Sequence, residues 1–445
     1  MPPPPAAPPA PPLNVVIVGA GIGGLSAATA FRRAGHNVSI YEQSAFSNEL
    51  GAAIHLGPNA SRILGRYGYD EKRLRGVRCD SLEMMAPDGT TMFKALTDHV
   101  TKEYGSPWYL CHRVDLHNEL KHLAFDEEGE GKPATLHLSS KVVGVDLEKG
   151  QITLAGGEVA QGDLIVGADG IHSRIRDHII GEGYSPPPSG SNTYRFMIPV
   201  SSLTSDPLLS AYVPSPTKPG MKIVVARDKR LVFYPCRDST LLNGVGIHPD
   251  TLSKHSTEEW NANTCTVEDL KQTYADFAPV YHRLFEVAED IKLWQLKDRG
   301  GIDTWIKGRG CLLGDACHPM LPHQGQGGGQ AIEDGAALGV IFPLGTPAAD
   351  VPTRLAYYEH VRKSRAETIQ EFSRAQIAGS EKQVIDPRVT EEFTFRHDVV
   401  AYAKEALTAV WIPSTVAPRG PPAGAPGGLK VRPLAGVELP VDEKL

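Results

Sequence analysis

Two glycine clusters in this chain stand where backbone, rather than side chains, would have to meet a ligand. The first is Gly19-Ala20-Gly21-Ile22-Gly23-Gly24, which fits G-x-G-x-x-G and is followed by Glu42. In such a loop Gly19 allows a tight turn, Gly21 lets the backbone approach a pyrophosphate, and Gly24 lets a helix pack closely on a strand. The N-terminus of the helix then offers free N–H groups and a positive dipole end. Glu42, about 20 residues on, can accept hydrogen bonds from a ribose diol. The second cluster lies in "GDACHPMLPHQGQGGGQAIEDG", Gly314 to Gly335, where Asp315 is followed by Pro319 and Pro322 and then by Gly325, Gly327, Gly328 and Gly329. A turn does not need so many glycines; a flat or phosphorylated ligand lying against bare backbone does.

The surrounding pattern supplies the elements to hold these loops. Asn14 to Val18 is a short β-branched run, the mark of a strand buried on both faces. Small and apolar residues (Leu25, Ala27, Ala28, Ala30, Phe31) predict a helix ending at Gly35, and Val38 to Tyr41 predicts a second strand running into Glu42. Strand, loop, helix, strand and acid in this order point to dinucleotide binding without separating FAD from NAD. In "GDLIVGADGIHSRIR", Gly162 to Arg176, Leu164-Ile165-Val166 predicts a strand, and a turn and a basic helix follow. Cys311 to Leu313 predicts a strand end, and Gln330 to Phe342 a mostly apolar helix. Between Gly181 and Asp290 the texture changes to alternating strands over Tyr194–Ile198, Met221–Ala226, Leu231–Tyr234 and Gly244–Ile247, which predicts a mixed or antiparallel sheet with one face covered.

The bulk numbers exclude several classes. With 445 residues, 41% hydrophobic and 22% charged, the chain can bury a sizeable core in two or three interleaved parts. A net charge of −7 argues against a nucleic-acid partner. The six cysteines lack C-x-x-C spacing, and Cys317-His318 has no second paired element, so neither a metal site nor a disulfide framework is expected. No run of about 18 apolar residues is present to span a membrane, and a cytoplasmic location is the default expectation. Residues 1–12 are almost entirely Pro and Ala and predict a disordered lead without signal-peptide character; 412–445 is a Pro/Gly-rich tail.

With these motifs in order, the chain resembles the group A flavoprotein monooxygenases, the fold family of 4-hydroxybenzoate hydroxylase, and within them the salicylate-hydroxylase-like enzymes, including fungal ones of secondary metabolism. The G-x-G-x-x-G loop, Asp169-Gly170 and Gly314-Asp315 correspond to the family's three fingerprints; "YLCHRVDLHNEL" (Tyr109 to Leu120) and "WQLKDR" (Trp294 to Arg299) resemble further family segments, so that the resemblance covers roughly residues 14 to 375. It implies an α/β plus β fold: a discontinuous Rossmann-like FAD-binding domain (13–78, 105–182 and 291–350), a mixed-sheet substrate domain (79–104 and 183–290) and C-terminal helices (351–411). Within it Glu42 would bind the adenosine ribose, Arg113 the ribityl-pyrophosphate region and Asp315 a ribityl hydroxyl, with Asp169 as the middle fingerprint acid. Gly325 to Gly329, Gly327 and Gly328 included, would lay N–H groups along the isoalloxazine edge. The following helix would aim its dipole at the flavin. The loop Gly51 to Asn59 would cover the ring, with Ala53 close to it.

The resemblance further implies FAD as cofactor, NAD(P)H as a transient co-substrate, O2, and a small aromatic substrate that is hydroxylated, epoxidised or dearomatised through a flavin C4a-hydroperoxide. Arg195 and Tyr234 align with positions that matter in some fungal relatives: an arginine holds a phenolate, and a tyrosine hydroxyl orients the same oxygen. The bland alternatives are an ion-pair arginine and a core tyrosine. His55 and His323 fall in loops expected beside the ring, where a histidine is either a base or, more often, a loop hydrogen-bonder. The charged helix around Tyr357 to Arg374 is expected to be a solvated face packed on the FAD domain. Rival readings are a flavin oxidase, a reductase on the same fold, and a non-catalytic flavin-binding scaffold.

Overall fold

The computed structural model describes residues 10–45, 52–181, 183–184, 186–253, 265–375 and 387–408; most of the expected lead, Gly51 and the expected tail lie outside the described residues. Two sheets organise the chain. The first has six strands in the spatial order Ile306–Lys307, Gly310–Leu312, Leu164–Gly167, Asn14–Val18, Asn37–Tyr41 and Thr135–His137. All its pairings are parallel except the terminal Ile306–Lys307 hairpin. Its central strands are continuous apolar runs because helices cover both faces; Val15, Val16, Ile17, Leu164, Ile165 and Val166 are buried. Helix Ile22–Arg33 follows the first strand and packs on helix Gly327–Ile341 through small residues. A Cβ on Gly335 would lie 2.6 Å from the Ala27 nitrogen and one on Gly339 2.7 Å from the Ala30 Cβ, so these helices approach nearly backbone to backbone.

The second sheet has seven strands, ordered Glu289–Lys297, Pro188–Pro199, Leu241–Pro249, Arg230–Cys236, Gly220–Val225, Ser81–Met85 and Thr91–Leu96. It is antiparallel except where Gly220–Val225 runs parallel to Ser81–Met85, so it is mixed as expected. Alternation sorts its side chains. Tyr194, Phe196, Ile198, Leu231, Phe233 and Leu242 face helices Val267–Thr273 and Pro279–Glu286 and form a separate core with Leu270, Tyr281 and Phe285. The opposite face carries Arg195, Met197, Tyr234 and Asn243. Asn243 Oδ1 accepts a hydrogen bond from the Ala53 N–H at 3.2 Å, which ties this face to strand Ala53–Leu56.

Several boundaries differ from expectation. The stretch from 291, expected with the parallel sheet, begins in the seven-stranded one, because Glu289–Lys297 pairs with Pro188–Pro199. The expected covering loop contains strand Ala53–Leu56, which pairs with Tyr109–His112, and then helix Pro58–Tyr67, whose first residue is a proline suited to that position. The helix expected from Gln330 begins at Gly327, so tertiary contacts override the poor helix propensity of three glycines. Helix Val351–Ala375 is not simply a solvated face: Arg362 and Arg365 point into the core. Helices Pro387–Phe395 and Val399–Thr408 complete the described C-terminal part.

Candidate active site

The dinucleotide loop has the geometry its glycines suggested. Gly19 has φ +102° and lies so close to Ala168 that a Cβ would strike its carbonyl oxygen. A Cβ on Gly24 would strike the Gly19 carbonyl, so this residue compacts the loop itself rather than only joining helix to strand. Gly21 differs: a Cβ there would meet nothing within 4 Å, so its backbone faces open space. Gly21 also starts helix Ile22–Arg33 with no side-chain cap and no acid in the first turn, leaving the first N–H groups for a ligand. Glu42 is held beside them, accepting from the N–H of Ala20 and of Ser44, each at 2.8 Å.

Asp169 follows strand Leu164–Gly167, and its Oδ2 accepts from the N–H of Arg174 (2.7 Å) and Ile175 (3.3 Å). Its Oδ1 is buried with no hydrogen-bond partner. Burial raises its carboxyl above the usual range, opposed by the bonds from Ser173 and the helix N–H groups. Asp315 is reachable from open space yet hemmed in by protein, and this desolvation raises its pKa against the pull of His318 and Arg113. Arg113 opens helix Arg113–Phe125, its N–H bonded to the Ala52 carbonyl at 3.0 Å. The same guanidinium is felt electrostatically at both Asp315 and Arg195. Arg195 stacks on Trp294, its Cζ 4.6 Å from the ring centroid, and its Nε is buried without a hydrogen bond. Burial lowers the pKa of Arg195 and raises that of Tyr234, and each group's charge opposes the shift of the other.

Gly325 has φ +58°, and a Cβ there would collide with His55 Nε2, so the glycine-rich loop rests on this imidazole. His55 Nδ1 accepts from Trp108 Nε1 at 3.2 Å, and burial lowers its pKa to about 4. The ring thus ties the Trp108 segment to the glycine-rich turn. Gly328 lies against Ile54, 2.6 Å from a hypothetical Cβ, whereas Gly327 is nearly open, with Met320 at 3.8 Å. The N–H groups of this first helical turn have no intrahelical acceptor. The glycines therefore still offer bare backbone, from a helix end rather than from a loop.

A buried charge network behind this turn was missed by sequence reasoning. The Asp334 Oδ2 accepts from the Gly314 N–H (2.9 Å) and bonds His318 Nε2 (2.7 Å), while its Oδ1 accepts from Arg362 Nε (2.8 Å). Arg362 also donates to Glu333 (2.6 Å) and to Gln330 Oε1 (2.7 Å); Arg365 binds Glu333 twice, at 2.8 and 2.9 Å. Asn59 Nδ2 donates to Glu333 at 2.7 Å. Burial would raise the Asp334 and Glu333 pKa values, but the neighbouring cations hold both below the carboxylate range. The signal was visible: an acid pair inside an apolar helix, and two arginines three residues apart on the next. Asp334 also gives Cys317-His318 the third donor that sequence spacing lacked, although both its oxygens are already engaged and Arg362 brings a positive charge.

The comparisons with known proteins agree with this geometry. The FAD binding domain family matches residues 12–373. Hispidin-3-hydroxylase of Neonothopanus nambi is 40% identical over 368 residues, covering 80% of this chain and 86% of that one. An FAD-dependent monooxygenase of Aspergillus candidus is 38% identical over 371 residues, covering 82% and 85%. A salicylate hydroxylase–substrate complex superposes with a TM-score of 0.69 at 23% identity, covering 89% of this chain and 98% of that one, and so shares the fold. The chain belongs to the FAD binding domain family of flavin monooxygenases. It is an FAD-dependent monooxygenase, and NAD(P)H is the reductant typical of that class. Among the described residues no helix is long and apolar enough to cross a membrane.

The residues present fit FAD. Open space at Gly21, the unpartnered Asp169 Oδ1, the accessible Asp315 and two uncapped helix N-termini are groups suited to phosphate, hydroxyl and ring.

Proposed function

We propose that this monooxygenase hydroxylates, or otherwise oxygenates, a small phenolic or related aromatic compound held between the glycine-rich turn and the open face of the seven-stranded sheet. The observation that carries it is the Arg195–Tyr234 pair, a cation and a hydroxyl on the same face, two strands apart but near enough that each is felt by the other, with no acidic partner to Arg195 among the described residues. The hispidin and salicylate hydroxylases among the similar proteins support the substrate class.

In this reading the parallel sheet with its helices is the FAD-binding domain, and the seven-stranded sheet is the substrate domain. Gly19, Gly21 and Gly24 shape the pyrophosphate turn, and Glu42 accepts the adenosine ribose hydroxyls. Asp169 Oδ1 and Asp315 accept hydrogen bonds from the rest of the cofactor, with Arg113 beside them. Ala53 and Gly327 leave room for a flat ring, while Gly328, packed on Ile54, offers its backbone N–H. Bound FAD supplies the redox chemistry, taking hydride from NAD(P)H and activating O2. Arg195 stabilises an ionised substrate hydroxyl and so makes the aromatic carbon electron-rich, while Tyr234 orients the same oxygen. Trp294, Met197 and the covering strand exclude water around them.

The test is NAD(P)H oxidation by the FAD-loaded protein against a panel of phenols, benzoates and indoles, with product masses from the same tubes. Acceleration by an aromatic that gains one oxygen is the expected result. Peroxide as the sole product across the panel would defeat the proposal. In parallel, unchanged flavin occupancy in Asp315→Ala would remove Asp315 from the cofactor site.

A further inference from the structure

Beyond the Arg195–Tyr234 pair, the same sheet face holds a second cation that no acidic group among the described residues neutralises. Arg195 pairs across the sheet with Val245, which pairs with Val232. Two residues along, Thr193 pairs with Ile247, which pairs with Arg230. Directly paired residues, and residues two apart on a strand, share a face. Arg230 therefore projects on the side of Arg195 and Tyr234, two strands over and one step along, roughly 12 Å from Arg195 between Cα positions. Ile247 in that row packs against Leu321, which places the row beneath the loop that carries His323.

His323 completes the arrangement. Both its ring nitrogens are buried with no hydrogen bond, and it lies within electrostatic reach of Arg230. Burial, reinforced by Arg230, lowers its pKa to about 3, so at neutral pH it is an uncharged ring with one N–H to donate. Two fully buried arginines elsewhere are held by several acceptors: Arg32 donates to four backbone carbonyls, and Arg362 to two carboxylates and an amide. Arg230 has no hydrogen bond or ion pair to its guanidinium among the described residues, although burial lowers its pKa. A half-buried charge and an orphaned imidazole together are costly unless a ligand completes them. The cofactor's pyrophosphate belongs at the Gly19–Gly24 turn, on the other sheet, and does not serve.

We infer that Arg230 and His323 form a second oxyanion-binding position in the substrate cleft, so that the preferred aromatic substrate carries two acidic oxygens, one at Arg195–Tyr234 and one at Arg230–His323. This rests on the aromatic-monooxygenase reading for the first position but is tested by binding. The probes are 4-hydroxycinnamate, a phenol with a carboxylate at its far end, and its methyl ester, which keeps the shape and removes the charge. Affinities are read from the perturbation of flavin absorbance in the FAD-loaded protein. Wild type should bind the acid at least tenfold more tightly than the ester. Arg230→Gln should erase that preference, Arg230→Lys should keep part of it, and His323→Phe should weaken the acid alone. Flavin content and melting temperature control for folding. Equal affinities in wild type, no detectable binding of the acid, or a preference that survives in R230Q would overturn the subsite. Failure of the monooxygenase reading would look different: intact, Arg230-dependent binding with no product gaining oxygen.

Discussion

The two sides of the cleft treat charge in opposite ways. Behind the glycine-rich turn, Glu333, Asp334, Arg362, Arg365 and His318 are fully buried or nearly so and bonded to one another. Across the cleft, Arg195 rests on an indole ring and Arg230 beside a bare imidazole, with no carboxylate paired to either among the described residues. The first side is finished by folding, so its charges serve shape: Asp334 fixes the Gly314 turn from behind. In the proposed reading the second side is finished only by a ligand, so its charges would serve recognition. A buried arginine thus means different things according to whether the protein itself supplies its partner.

The sharpest way to break this comparison is to remove one arginine from each side. Arg362→Met removes the cation shared by two buried carboxylates and should cost about 3–5 kcal/mol of stability, read by chemical denaturation. Arg195→Gln should leave stability unchanged or raise it by up to about 1 kcal/mol, since no partner is stranded. The same variant should sharply reduce oxygenated product. Equal destabilisation by the two would mean that Arg195 is structural after all.

A second pair of variants separates packing from ligand room within one loop. Gly24→Ala drives a methyl group into the Gly19 carbonyl and should lower flavin-free stability by about 1–3 kcal/mol as well as flavin content. Gly21→Ala meets no protein atom within 4 Å and should leave the flavin-free melting temperature unmoved while weakening FAD binding. A drop in melting temperature for Gly21→Ala would show that its backbone, not the ligand, sets the requirement.

The smallest effect concerns pH. His55 has its pKa lowered from 6.5 to about 4 by burial, so the unfolded chain binds the proton more readily. Its contribution is fully present above pH 6.5 and is lost as pH falls toward 4. Denaturation midpoints should therefore fall over that window, and His55→Asn should make the fall shallower. An unchanged slope would mean that His248, lowered to about 4 in the same way, dominates.

Much of the cofactor side was legible because its logic is local. Strand, glycines, helix and acid follow one another within Asn14 to Glu42, and each glycine has a backbone reason. Gly314-Asp315 could be read for the same cause. What could not be read was set by contacts distant in sequence. Helix Gly327–Ile341 starts at glycines of poor propensity because Gly325 and Gly328 pack on His55 and Ile54 from another segment. Arg362 and Arg365 looked like the charged face of a surface helix, and only the neighbouring Glu333-Asp334 pair hinted otherwise. Arg230 gave no signal at all. Its face is fixed by strand register, and a shift of one residue would have turned it into the opposite core.

The order of the parallel sheet also governs when the site can exist during synthesis. Asn14–Val18 must wait for Leu164–Gly167, which must wait for Gly310–Leu312, and the Gly314 turn is pinned only once Asp334 and Arg362 have followed. At about 5–20 residues per second, the first strand leaves the ribosome on the order of 15–60 s before its sheet can be completed. Asn14–Val18 can pair early with Asn37–Tyr41, but throughout that interval its other edge and an unfilled phosphate turn stand open. Cofactor capture is therefore a late event, and flavin cannot protect the open edge before the sheet closes.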